Sequence, residues 1–81
     1  MSRDQIYQDV VSIISKHAQN RSALVSVTGS THILNDLQVN SARLVDIILD
    51  FEDKFNVAIS DDDADRIETV GDAVSMVEKL M

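Results

Sequence analysis

Apolar residues recur with helical spacing in three stretches of this chain. Ile6, Val10, Ile13 and Ile14 share one face at about 100° per residue, with Tyr7 and Val11 on its flank. They predict a first helix from about Arg3 to Ala18, opened by Ser2 and Gln5 as a capping box. The second stretch runs from Asn40 to Phe55, where Leu44, Ile47, Ile48, Phe51 and Phe55 form a core stripe. The third is carried by Val70, Ala73, Val74 and Val77, with Leu80 or Met81 at its end. Thr69 caps it, and Asp72 falls at the third helical position. A brief helix from about Asp61 to Arg66, capped by Ser60, turns Ala64 and Ile67 inward. Met76 and Met81 read as core filler.

The connections complete the architecture. Gln19 to Val39 is a long loop in which Leu24, Val25 and Val27 pack under the bundle, Thr28 to Thr31 turns, and Ile33 and Leu34 enter the core. Such a loop is expected where helices pack with one long crossover. Strand alternation is weak, so no sheet is predicted. The expected fold class is all-α, a small four-helix bundle of three longer helices and one short one with a long first loop.

The second helix carries more than a core stripe. Ala42, Val45 and Leu49 lie on its far side, where a surface helix is ordinarily polar. Asp46, Asp50 and Asp53 border that strip on one side, and Glu52 lies on the other. Scattered exposed apolar residues are normal, but an apolar strip rimmed by acids predicts a docking surface for a basic partner. Asn40 is a strong N-cap residue, which sets Ser41 at the first helical position. There its hydroxyl is expected beside unpaired backbone N–H groups and the positive pole of the helix, a setting that suits an attached phosphate. Taken from position alone, Ser41 reads better as a plain polar residue of a first turn.

Composition narrows the partners. With 81 residues the chain has room for one small domain, 1–81, and no cysteine is present to staple it. Hydrophobic residues make up 44%, enough for a core, and two glycines with no proline favour helices. A formal net charge of -7 argues against nucleic acid and anionic membranes. No apolar run is long enough to insert in a membrane and no signal-peptide pattern opens the chain, so a cytoplasmic monomer is expected. Ser41 is not a self-activated nucleophile, because His17 and His32 stand in no recognisable triad pattern. His17 suits the end of its helix as a cation and has no second ligand at i+4. Asp61, Asp63 and Asp65 match the first ligand positions of a calcium loop. Arg66 then stands where that loop needs glycine, and Asp72 where it takes glutamate, so an acidic helix start is the better reading.

Asp36 to Ser41, followed by Leu44-Val45-Asp46, resembles the phosphopantetheine attachment site of acyl carrier proteins. Phe51 to Ile59 is similar to that family's acidic helix end and loop, and Ile67 to Ala73 to the start of its final helix. Gln38, Asn40 and Ala42 depart from the usual glycine, aspartate and leucine of the motif. The resemblance implies a stand-alone carrier rather than an enzyme, with Ser41 as the attachment point for a covalent 4'-phosphopantetheine arm. It implies a phosphopantetheinyl transferase as one partner, and acyl-transferring or acyl-modifying enzymes with basic docking surfaces as others. It also implies an acyl pocket between helices at Ile48, Phe51, Ile59, Ala64, Ile67 and Ala73, with bulky Phe51 shortening it. The rival readings are an acidic adaptor that never receives the arm and, less well supported, a small calcium-binding protein.

Overall fold

A computed structural model describes residues 2–81. Four α-helices follow in order: α1 (Arg3–Ser15), α2 (Leu44–Phe55), α3 (Asp61–Asp65) and α4 (Val70–Leu80). Two short 3-10 segments, Arg21–Ser26 and Ser41–Arg43, lie in the long connection and immediately before α2. No named strand occurs among the described residues; one isolated antiparallel bridge joins His32 to Thr69.

Three of the four helices, α1, α3 and α4, are begun by a side chain that satisfies an orphan N–H, at the residues the sequence predicts; α2 has no such cap of its own and continues from the 3-10 turn that Asn40 caps. Ser2 accepts from Gln5 N–H, Ser60 from Asp63 N–H, and Thr69 with Asp72 completes a reciprocal capping box. The box expected at Ser2 is only half formed, because the Gln5 side chain donates to Asp9 instead. Helix α1 also ends a turn before Ala18. His17 N–H and Ala18 N–H both reach back to the Ile14 carbonyl, and the chain then swings away so that Gln19 N–H meets the Gln38 carbonyl. Helix α2 closes on Asn56 in the left-handed conformation, φ 55°.

The core is built by α1, α2 and α4, with α1 packed chiefly on α4 and less extensively on α2, while α3 adds only the partly buried Ala64. Ile6, Val10 and Ile14 meet Ile47, Phe51, Val70, Val74 and Val77 in one buried cluster. The long connection contributes Ile33, Leu37 and Val39. Three expectations fail. Val25 is 90% exposed, Leu34 lies at the surface, and Met81 lies outside the core at the end of α4. Leu24, Val27 and Met76 are partly buried against the cluster.

The long connection is held at both ends. Asn20 N–H donates to the Leu37 carbonyl, and the Asn20 side chain to the Asp36 carbonyl. Tyr7 hydroxyl donates to the Val27 carbonyl at 3.0 Å, tying the loop to α1. Further on, Gly71 N–H, Val70 N–H and Ile33 N–H pair with the carbonyls of Gly29, Thr31 and Glu68. This short ladder clamps the loop across the start of α4 and delivers the chain to Asn40.

Candidate functional site

The site is built where the loop enters α2. Asn40 Oδ1 accepts from Ala42 N–H at 2.9 Å, and its carbonyl accepts from Arg43 N–H at 2.8 Å. Leu44 N–H returns to the Ser41 carbonyl. These bonds wind Ser41–Arg43 as a 3-10 turn rather than as the first turn of an α-helix. The expected row of unpaired N–H groups beside Ser41 is therefore largely occupied by the cap and the tight turn. What remains for an anion is the pole of α2 and the Ser41 hydroxyl itself, which is exposed and makes no hydrogen bond among the described residues. No histidine reaches it: His17 Nε2 lies 3.2 Å from Asp50 Oδ2, and His32 stands by Asp72 at the start of α4. A serine without a base can be modified by another protein but does not attack unaided.

Ser41 stands on the lip of a cleft of about 350 Å³ between α2 and α3. Its walls are Leu44, Val45, Ile48, Leu49, Ile59 and Ala64, with Glu52, Asp61 and Asp65 at the rim. The positions expected to line an acyl pocket thus divide. Ile48, Ile59 and Ala64 line this cleft, whereas Phe51 and Ala73 are wholly buried in the core and Ile67 lines a neighbouring hollow. Phe51 packs against Phe55 with ring centroids 6.3 Å apart and planes tilted by 52°, and does not line the cleft.

The far face of α2 is uneven. Val45 and Leu49 are 62% and 56% exposed, large for apolar side chains, and Ala42 is exposed beside them. Of the three acids expected to border them, Asp50 turns toward His17 in the turn just beyond α1, and Asp46 meets Arg43 at 3.4 Å. Asp53 is exposed and has no ion-pair partner among the described residues. Glu52 has a role that the spacing of charges did not signal: its Oε2 accepts from Ile59 N–H at 2.8 Å and pins the loop before α3 against the cleft. The acids Asp61, Asp62 and Asp63 form the first turn of α3, so they are not wrapped as a calcium loop. Among the described residues no group of three metal-ligating side chains is gathered.

Known proteins agree with this geometry. A family profile described as "Phosphopantetheine attachment site" matches residues 20–77. The acyl carrier protein of Thermotoga maritima is 41% identical over 80 residues, covering 99% of this chain and 96% of the relative. That of Lactobacillus acidophilus is 38% identical over 78 residues, covering 96% and 95%. The solved acyl carrier protein of Enterococcus faecalis superposes with a TM-score of 0.82 at 37% identity, over 100% of both chains. Fold, cleft and likeness together define a carrier with a covalently bound 4'-phosphopantetheine arm, a protein that holds a group for others to act on and is not itself a catalyst. The chain belongs to the acyl carrier protein family.

The local chemistry fits that arm. A free, solvent-facing hydroxyl is accessible to a transferase, and the apolar walls beside it suit an attached hydrocarbon better than a polar ligand. Among the described residues no helix is long and apolar enough to cross a membrane.

Proposed function

We propose that Ser41 is the residue that receives the arm, and that residues 1–81 act as one carrier domain. The observation that carries this reading is the unpartnered Ser41 hydroxyl on the lip of an apolar cleft, directly after the Asn40 cap. Ser41 supplies the oxygen and a separate phosphopantetheinyl transferase supplies the activation, since no base of this chain reaches the hydroxyl. When attached, the arm contributes a terminal thiol that holds an acyl group as a thioester. The chain's own work is then to orient and shelter. The start of α2 presents the anchored phosphate outward, and Leu44, Ile48, Ile59 and Ala64 offer apolar cover to the cargo.

Enzymes that transfer or modify acyl groups in fatty acid, lipid or specialised acyl synthesis are the partners of this reading. They meet Ala42, Val45 and Leu49 with apolar contact and the acids beside them with basic side chains. A cytoplasmic monomer suits that role.

The test is modification in vitro. Wild-type chain incubated with coenzyme A, magnesium and a broad-specificity transferase should gain the mass of one phosphopantetheine, and Ser41→Ala should gain none while keeping its helical circular dichroism. The substitution leaves the Asn40 cap in place, so lost modification is not lost folding. A mass gain on the alanine variant would overturn the assignment.

A further inference from the structure

The turn that carries Ser41 borders a second feature besides the apolar cleft. A hollow of about 550 Å³ opens between the end of α1 and the 3-10 turn before α2. Asn40, directly before Ser41, and Arg43, two residues after it, belong to its wall. Lys16, His17 and Gln19 face them, and among the described residues no carboxylate lines the hollow. The chain holds 14 acidic residues against 7 lysines and arginines, so a wall that gathers three bases and no acid departs from its composition. The apolar cleft, by contrast, is rimmed by Glu52, Asp61 and Asp65. The basic wall is held in place: His17 Nε2 meets Asp50 of α2, and Gln19 N–H meets the Gln38 carbonyl. Two of the bases keep most of their charge free. Arg43 makes one long bond to Asp46, between side chains 64% and 49% exposed, which offsets little charge and leaves the rest of the guanidinium fork open. Lys16 is exposed and enters no ion pair among the described residues.

We propose that this hollow receives a carboxylate side chain of the phosphopantetheinyl transferase, so that the carrier docks through both signs of charge and not through its acids alone. The inference rests on Ser41 as the attachment point. The transferase is the partner whose chemistry takes place at the hydroxyl, and its surface must therefore close around the Asn40–Arg43 turn. Enzymes that act on the thiol at the far end of the arm work at a distance from that turn. A closing surface strips water from Lys16 and Arg43, and bases left unpaired there weaken binding. An aspartate or glutamate opposite them replaces the lost water with charge-assisted hydrogen bonds. The same wall repels a surface that brings only bases to the turn, so it selects among transferases as well as attracting one.

The experiment follows loading by the transferase of the organism from which the chain comes, with coenzyme A and magnesium. Wild type is compared with Lys16→Gln, Arg43→Gln, the double variant and Lys79→Gln, all checked for unchanged helical circular dichroism. Lys79 is an exposed base in the last turn of α4 and outside the hollow, so its loss makes the same change of net charge elsewhere. Simple steering of an acidic chain toward a basic enzyme makes every one of these variants load better, because each adds to the net charge of -7. A carboxylate in the hollow gives the reverse. The KM for the carrier should rise about threefold in each single hollow variant and about tenfold in the double, with kcat and the KM for coenzyme A unchanged. Lys79→Gln should show no rise, and the rises in the others should fade as salt is added. A carrier KM that stays at the wild-type value or falls in the Lys16 and Arg43 variants overturns the proposal alone. So does a rise confined to the KM for coenzyme A, which would make the hollow a site for the coenzyme's phosphates. Failure of wild type to load at Ser41 overturns the attachment point and this inference with it.

Discussion

Gln38 has φ of 52°, a left-handed conformation that a long side chain adopts at a cost of about 1–2 kcal/mol. The acyl carrier pattern noted above places glycine at this position, and the structure supplies the reason: the backbone must reverse here so that its carbonyl meets Gln19 N–H. Gln38→Gly should therefore raise stability by about 1 kcal/mol after the added freedom of the unfolded chain is set against the relieved strain, as measured by urea unfolding. Asp72 illustrates a second single-residue effect. The Thr69 N–H holds its carboxyl below the ordinary value of 3.8; burial opposes this, and the Glu68 N–H, the Thr69 hydroxyl and nearby His32 add to the lowering. Because the native state favours the charged form, the stability it contributes is complete above the unfolded pKa and drains away as pH falls through the folded one. Acid unfolding of Asp72→Asn should accordingly show a flatter dependence below about pH 4 than wild type, with lower stability at neutral pH.

Helix α2 shows how much of the site could be read from spacing and where spacing stopped. The core stripe, the opposite strip and the cap at Asn40 all follow from a period near 3.6 and from local side-chain chemistry, and all are present except that Leu44, expected in the stripe, lines the cleft half-buried instead. The 3-10 winding of Ser41–Arg43 is not a periodic property; it depends on which carbonyl Arg43 N–H finds first. The pairings of Asp50 with His17 and of Glu52 with the Ile59 N–H join residues from separate segments, so no charge pattern on one helix announces them. They alter what the docking face should do. With Asp50 turned toward His17, Asp53 is the acid left most available to a basic partner. Asp53→Lys should slow association with a phosphopantetheinyl transferase severalfold, more than Asp50→Lys does, and the difference should fade as salt is added. Leu49→Ala should chiefly hasten dissociation, by an amount worth about 1–2 kcal/mol. Stopped-flow binding across a salt series separates the two effects, and on-rates that ignore both salt and Asp53 would reduce this face to a solvated surface.

Across the whole molecule the helices were legible and the long connection was not. Its anchors, Ile33, Leu37 and Val39, alternate with exposed residues too irregularly to announce strand or helix, and Leu34 and Val25 break the expectation that apolar means buried. What orders it is contact with the start of α4, as where Gly71 N–H meets the Gly29 carbonyl across a long loop of the sequence. A Cβ on Gly71 would stand 2.8 Å from the Gly29 carbonyl oxygen, a backbone atom with no rotamer to yield. Gly71→Ala should therefore cost about 1–3 kcal/mol despite the higher helix propensity of alanine, seen as a lowered midpoint in thermal unfolding with the native helix content otherwise retained.

That same ladder ties the timing of local opening at two distant places. The segment that leads into Ser41 and the first turn of α4 share their hydrogen bonds, so neither can fray while the other stays closed. A carrier of this build does not loosen its entry loop piecemeal to admit a partner: it keeps the loop and α4 shut as one cooperative unit. The short α3, by contrast, shares no hydrogen bond with that ladder and buries no side chain fully; it is begun by the Ser60 cap and follows the loop that Glu52 pins. Cargo should accordingly enter and leave by displacement of α3, with the loop as the fixed jamb against which it swings.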